Sequence, residues 1–341
     1  SLLYGCSVSN NENHGETAKG EGDRLSIVCT NFALYDWTRE ILGDNINKVD
    51  LTFLLDNGID VHNYQPSAAD MLKIQNSDLF LYIGGESDQW VENLLKSSNG
   101  SGRVLKLIDV LGEEAKEEEI IEGMEHDHSE EDEHVASDSD HSDEGAVEDH
   151  DESDFDHGEE TIDEHIWLSL KNAEVLSGAI YNEIVLLDNN DAASYKENYD
   201  DFKKELLDLD EAYRDFFDAE ANKTLVFGDR FPFRYLVDDY HVNYYAAFPG
   251  CSAETEASFK TVSFLAEKMN ELHLPSIFVI EGSDQSVAKT IIQNSEEKNQ
   301  AIYVLNSMQS VTAKDIEEGT TYLSIMEDNL QVLKKALEEV R

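Results

Sequence analysis

A chain of 341 residues carries 74 acidic against 25 basic side chains, for a formal net charge of −49. So acidic a surface lacks the basic patches that phosphate binding requires, which argues against a nucleic-acid partner. At 341 residues the chain is long enough for two packed lobes, its 40% hydrophobic content suits a globular protein, and no run of about 18 or more apolar residues is present to span a bilayer.

The first element is polar. Leu3-Tyr4-Gly5-Cys6 resembles the lipobox at the end of a bacterial lipoprotein signal peptide, with Cys6 as the lipidated residue. Residues 1–23 are then expected to form a disordered tether, and one lipid-bearing cysteine would hold the protein at a membrane without making it integral. Of the three cysteines, Cys29 and Cys251 remain, either joined as a disulfide or present as two unpaired buried thiols.

Apolar strand-like runs alternate with amphipathic helical stretches from residue 24 onward. Strands are expected at 25–29, 49–55, 79–83 and 104–107. Helices are expected at 34–42 and 67–75, with another beginning at Trp90. Ser67-Ala-Ala-Asp70, just after Pro66, has the pattern of a capping box with Asp70 in the N3 role.

Residues 113–164 then hold 26 of the acidic residues and six of the 11 histidines, with one lysine. This accounts for about half the net charge. Without apolar periodicity, the segment 113–162 reads as a disordered acidic insertion.

Order resumes with Ala173, Leu176, Ile180, Ile184 and Leu187 at three- and four-residue spacing, one long amphipathic helix. A second helical stretch carries Phe202, Leu206, Leu209, Tyr213 and Phe216 on one face. Strands follow at 225–227, 244–247, 276–280 and 302–305. A last helix places Leu323, Met326, Leu330, Leu333, Leu337 and Val340 on one stripe. The expected fold is α/β, with two lobes that each carry a mostly parallel sheet flanked by helices, joined by one long interlobe helix. Its boundaries are expected at 24–171 for the N-terminal lobe, 172–192 for the interlobe helix and 193–341 for the C-terminal lobe.

Two histidines stand out by position. His62 follows a strand and precedes the capped helix; His165 lies where the acidic segment ends and the long helix approaches. Both occupy loops leading into helices, where α/β sheets place their ligands. A neutral imidazole is a good donor to zinc, and nearby carboxylates can orient each ring.

These surroundings carry a family resemblance from Arg24 onward. Val61-His62-Asn-Tyr-Gln-Pro-Ser-Ala-Ala-Asp70 resembles the His-x-Tyr-x-Pro-x-x-x-Asp element of zinc and manganese ABC-transporter binding proteins. Asp163-Glu-His165-Ile-Trp-Leu-Ser-Leu-Lys-Asn-Ala173 is similar to that family's Asp-Pro-His-x-Trp-x-x-Pro-x-Asn-Ala element. Ile83-Gly-Gly-Glu-Ser-Asp-Gln-Trp90 resembles its glycine-then-tryptophan segment, and the stretch with Tyr322, Met326 and Asn329 resembles its C-terminal helix. A histidine-rich acidic insertion also falls where zinc-specific members carry one. The resemblance implies His62 and His165 as metal ligands, with no catalysis.

The second half departs from the family pattern. Where the family supplies a third ligand, three residues before a Phe-x-Tyr, this chain has Arg230, which keeps its proton and cannot coordinate. Asp229 beside it is the candidate instead, in the loop after strand 225–227. The family's fourth ligand aligns with Asn306, a poorer neutral donor that water can supplement. Glu281 resembles a family glutamate read as a structural or interlobe hydrogen-bond partner.

The function so implied is an extracellular solute-binding protein, a monomer anchored by lipid on the outer face of a Gram-positive type of bacterial membrane. It captures Zn2+ between its lobes for an ABC permease, and Mn2+ is the alternative cargo. His126, His128, His134, His141, His150 and His157 would add weak metal capture beside the cleft. An adhesin or scaffold role is a further alternative. A zinc hydrolase is disfavoured, because no HExxH motif or helically spaced general base accompanies the histidines.

Overall fold

A computed structural model describes residues 24–97, 102–124 and 161–338. The N-terminal half begins with β1 (Leu25–Cys29), α1 (Phe32–Leu42), β2 (Val49–Phe53), α2 (Ala68–Gln75) and β3 (Leu79–Tyr82). It continues with α3 (Gln89–Ser97), β4 (Arg103–Lys106) and the short α4 (Leu107–Leu111). Two consecutive helices, α5 (Leu170–Leu187) and α6 (Ala192–Ala219), connect it to the second half. There β5 (Thr224–Phe231), α7 (Arg234–Tyr240), β6 (Asn243–Pro249), α8 (Phe259–Glu271) and β7 (Ser276–Ile280) come first. The chain then runs through α9 (Ser286–Asn294), β8 (Ala301–Leu305), α10 (Ala313–Glu317) and α11 (Tyr322–Glu338).

Each half builds a four-stranded sheet whose pairings are all parallel, in the orders β2-β1-β3-β4 and β6-β5-β7-β8. The inner strands β3 and β7 are buried along their whole length, as expected for parallel strands covered on both faces by crossover helices. The two lobes of the expected α/β fold are thus present; the long helix between them is α6, 28 residues from Ala192 to Ala219, whereas the expected interlobe helix 172–192 falls on α5, which ends at Leu187.

Local chemistry sets the helix starts. Asn31 accepts the Ala33 amide and begins α1 two residues earlier than expected. The Ser67–Asp70 capping box forms with both reciprocal bonds, and Ser169 caps α5. The α5 stripe of Ala173, Leu176, Ile180 and Ile184 is buried, as is the Phe202–Leu206–Leu209–Tyr213–Phe216 face of α6. Along the α11 stripe Met326, Leu330, Leu333 and Leu337 are buried and Leu323 is partly buried, whereas Val340 lies outside the described residues.

The lobes are sewn together at several places. Tyr322 at the start of α11 donates its amide to Asp36 of α1 (2.6 Å), and its ring meets Trp37 edge-on at 5.2 Å. The Tyr322 hydroxyl donates to the Trp167 carbonyl (2.6 Å), and the Trp167 indole donates to the Ser307 carbonyl (2.9 Å). The short turn Ile166–Leu168 that follows His165 is therefore clamped from both sides.

Two expectations about segments change. Residues 113–124 and 161–162, taken as part of the disordered insertion, are folded. Glu117 and Ile162 form an antiparallel bridge, Glu118 donates its amide to the Thr161 carbonyl (2.8 Å), and Met124 is buried. The acidic side chains there find partners on the opposite lobe. Glu119 pairs with Arg234 and accepts from Tyr244, while Lys116 pairs with Asp238 and donates its amide to the Tyr235 hydroxyl. The rest of the acidic segment, with His126, His128, His134, His141, His150 and His157, lies outside the described residues, as do residues 1–23 with Cys6.

The second change concerns β5. The expected strand 225–227 runs on to Phe231, with a register shift against β6 between Phe227 and Arg230. Gly228 sits inside this irregularity because α9 presses on it; a Cβ there would lie 2.5 Å from the Ala288 Cα. Asp229 and Arg230 are consequently strand residues rather than members of a loop. Cys29 and Cys251 are both free thiols.

Candidate metal centre

His62 sits in a single 3-10 turn, Val61–Asn63, which follows β2 and whose start is capped by Asp60 accepting the His62 amide (3.0 Å). His165 is fully buried in the loop that leads into α5. The two rings, 103 residues apart in sequence, bring their Nε2 atoms to 3.3 Å.

Hydrogen bonds on the far side of each ring fix the tautomers. Ser87 donates its hydroxyl to the Glu164 carboxylate through a short bond, so that its oxygen accepts from His62 Nδ1 at 2.7 Å. Glu164 is held in turn by the Ser87 amide (2.9 Å). His165 Nδ1 donates to Asp163 (2.8 Å), whose same oxygen also accepts the His165 amide (2.9 Å). With both Nδ1 atoms carrying protons, both Nε2 lone pairs point into one space.

The electrostatics of the pair are asymmetric. Burial pushes His62 down to about 3, helped by the positive charges of His165 and Arg230 against the opposing Asp60. Burial also acts to lower His165, but the Asp163 charge and hydrogen bond, with Glu164 and Glu118, outweigh it and raise this group. A proton that binds between the rings therefore rests on His165 and faces the bare His62 nitrogen. Glu164 itself is pushed up by burial.

A tetrahedral zinc with bonds to imidazole nitrogen of about 2.0–2.1 Å separates two such ligands by about 3.3–3.4 Å. The observed 3.3 Å between the Nε2 atoms matches that edge. One donor atom from each of His62, Glu164, His165 and Cys251 lies within 4.8 Å of the others, a grouping suited to a divalent cation. Burial, then the carboxylates of Glu164, Glu118, Asp163 and Glu86, push the Cys251 thiol up.

The other expected ligands are turned to different work. Asp229 accepts the Arg230 amide (2.8 Å) and the Ile280 amide of β7 (3.3 Å), so the irregularity in β5 ties its carboxylate to the sheet. Arg230 reaches across to Asp60 of the other lobe at 2.5 Å. The Asn306 side chain accepts the Met308 amide (2.8 Å), closing its own turn. Glu281 accepts from the Ser307 amide (2.7 Å) and hydroxyl and from the Gln309 amide (2.9 Å), which makes it a brace for the β8 loop within its own lobe. His241 and His273 stand exposed at left-handed backbone positions that end α7 and α8, away from the centre.

Sequence reading did not assign Ser87, Glu164 or Cys251. Glu164 was signalled by its place beside His165, and Cys251 by a Pro-Gly-Cys turn at the carboxyl end of a parallel strand, where α/β sheets gather ligands.

Two parallel-sheet lobes around a buried imidazole pair are the architecture of a two-lobed binding protein. The chain belongs to the ZnuA family, described as zinc-uptake complex component A, periplasmic, whose profile matches residues 27–336. It is similar to the high-affinity zinc uptake system protein ZnuA of Bacillus subtilis, 27% identical over 336 residues that cover 98% of this chain and 94% of that protein. It is also 28% identical over 316 residues to the zinc-binding lipoprotein AdcA of Streptococcus pneumoniae, covering 93% of this chain and 56% of the relative, so the chain spans about half of that longer protein. The crystal structure of the Zn(II)-bound ZnuA-like domain of the pneumococcal AdcA superposes with a TM-score of 0.67 at 24% identity, covering 93% of this chain and 100% of that domain, which establishes the shared fold. The family is one of substrate-binding components of transport, not of enzymes. Among the described residues no helix is long and apolar enough to cross a membrane.

Proposed function

We propose that this chain is the extracellular receptor of an ABC importer, which takes Zn2+ between its lobes on His62 and His165 and delivers it to a membrane permease. The observation that carries this reading is the pair of Nε2 atoms at 3.3 Å, each freed by a hydrogen bond at Nδ1. Two imidazole lone pairs directed at one point and 3.3 Å apart match the edge of a tetrahedral zinc site, which supports zinc as the cargo. An imidazole-based site also favours zinc over manganese, which prefers oxygen donors. The names of the relatives, zinc-binding lipoprotein and high-affinity zinc uptake protein, support the same cargo and a location at the outer face of the membrane.

In this reading Cys6 carries the lipid anchor, the protein acts as a monomer, and the six histidines of the acidic segment collect zinc weakly beside the tight site. The test is zinc titration against a competing chelator. Wild-type protein is expected to hold one tightly bound zinc, and His62→Ala and His165→Ala each to lose it. Retention of wild-type affinity by both variants would overturn the assignment.

A further inference from the structure

We propose that Cys251 is the third protein ligand of the cation, donated by the C-terminal lobe, and that the centre is a two-imidazole, one-thiolate site. The inference deepens the receptor reading above and rests on it. Three observations carry it. First, the Cys251 sulfur belongs to the cluster in which one donor atom of each residue lies within 4.8 Å of the others, alongside His62, His165 and Glu164. The thiol is free.

Second, the local backbone is built to deliver that sulfur. Gly250 packs directly against the His165 ring; a Cβ at this position would fall 2.9 Å from Cε1 and 3.1 Å from Nδ1. Only glycine lets the end of β6 pass so near the imidazole, and the next residue is Cys251. The Cys251 amide is held by Glu118 at 3.1 Å, and the turn is closed by the Ser252 amide on the Pro249 carbonyl at 3.3 Å.

Third, the alternative donors of the C-terminal lobe are engaged. Asp229 uses its two carboxylate oxygens on backbone amides, Asn306 closes its own turn, and Glu281 braces the β8 loop. At the position three residues before Phe233 stands a guanidinium, paired with Asp60.

The charge balance fits the same centre. On binding, the thiol gives up its proton to solvent as the metal–sulfur bond forms, one proton per cation. The thiolate then offsets one of the two positive charges, and the buried carboxylates of Glu164 and Asp163 beside the two imidazoles more than offset the other, so the cation is not left uncompensated. Glu164 stays bonded to Ser87 and supplies charge rather than a coordinating atom. A thiolate moves the preference toward softer cations, to zinc and cadmium and away from manganese.

The experiment is loading of the full chain with Co2+ alone, followed by electronic absorption. A tetrahedral cobalt site with a thiolate shows a sulfur-to-cobalt charge-transfer band in the near ultraviolet, which imidazole and carboxylate ligands do not produce. Wild type is expected to show this band at one equivalent. Cys251→Ser is expected to keep bound cobalt, lose the band and bind zinc more weakly by at least about tenfold, the lower bound set by losing a mere outer hydrogen-bond partner. A second measurement needs no variant. Site-resolved mass spectrometry should find Cys251 alkylated in metal-free protein and protected by zinc.

Cobalt bound without the band, or a band that survives Cys251→Ser, or a Cys251 alkylated equally with and without zinc, overturns the thiolate ligand and leaves the receptor reading standing. Failure of wild type to bind either cobalt or zinc overturns both.

Discussion

Asp163 spends one carboxylate oxygen on both the ring and the amide of His165. It therefore sets the direction of the Nε2 lone pair and the basicity behind it. Replacing it as Asp163→Asn keeps an acceptor of the same shape and removes the charge; zinc affinity is expected to fall about 10–100-fold, read by chelator competition. Asp88, next in sequence to Ser87, reports on stability instead. Burial raises its carboxyl from 3.8 to about 7, with Glu164 adding to the rise and Lys106 and the Gly84 amide opposing it. The folded protein then binds this proton more tightly than the unfolded chain does. Its contribution is favourable below the unfolded value and is lost as pH climbs from about 4 to about 7, at about 1.4 kcal/mol per unit. Asp88→Asn removes the titration, so its stability relative to wild type should grow over that interval in denaturant unfolding of the metal-free proteins. A constant difference across the interval would refute this. At this scale the two histidines were legible because each lies inside a short local pattern. Cys251 was not, because its meaning depends on Gly250 meeting a ring 85 residues earlier.

Elements were read most accurately where one periodicity governed them. The α5 stripe is an example, since burial at Ala173, Leu176, Ile180 and Ile184 follows directly from three- and four-residue spacing. Ile180 is fully buried where α5 packs against α6 and α1, and Ile180→Ala is expected to cost about 2–5 kcal/mol in chemical denaturation. The Ser67–Asp70 box was equally plain, because both halves of a capping box lie within four residues. The end of β5 was hidden for the opposite reason. Its irregularity arises where α9 presses on Gly228, a contact between segments about 60 residues apart, and it sends Asp229 to the β7 backbone rather than to the metal centre. A loop was the natural reading of Gly-Asp-Arg from sequence alone.

For the whole molecule, composition separated the acidic segment from the folded lobes but placed its edges too widely. Residues 113–124 and 161–162 belong to the fold, because Glu118 and Glu119 find an amide, a guanidinium and a tyrosine hydroxyl on the other lobe. Net charge per residue cannot reveal such partners. The boundaries that the structure recommends for a deletion are thus 125–160. Removing them is expected to leave the single tight zinc unchanged and to abolish weaker binding, measured by equilibrium dialysis at rising zinc. Loss of the tight site would show that those residues contribute to it.

The same strip has a mechanical consequence. It leaves the N-terminal sheet, yet fastens through Lys116, Glu118 and Glu119 to β6, α7 and the turn that bears Cys251. Wide clamshell gaping would have to tear each of these fastenings at once. Movement of the Pro249–Ser252 turn alone would break only the Glu118 bond among them, so opening at that one corner leaves the rest of the body shut.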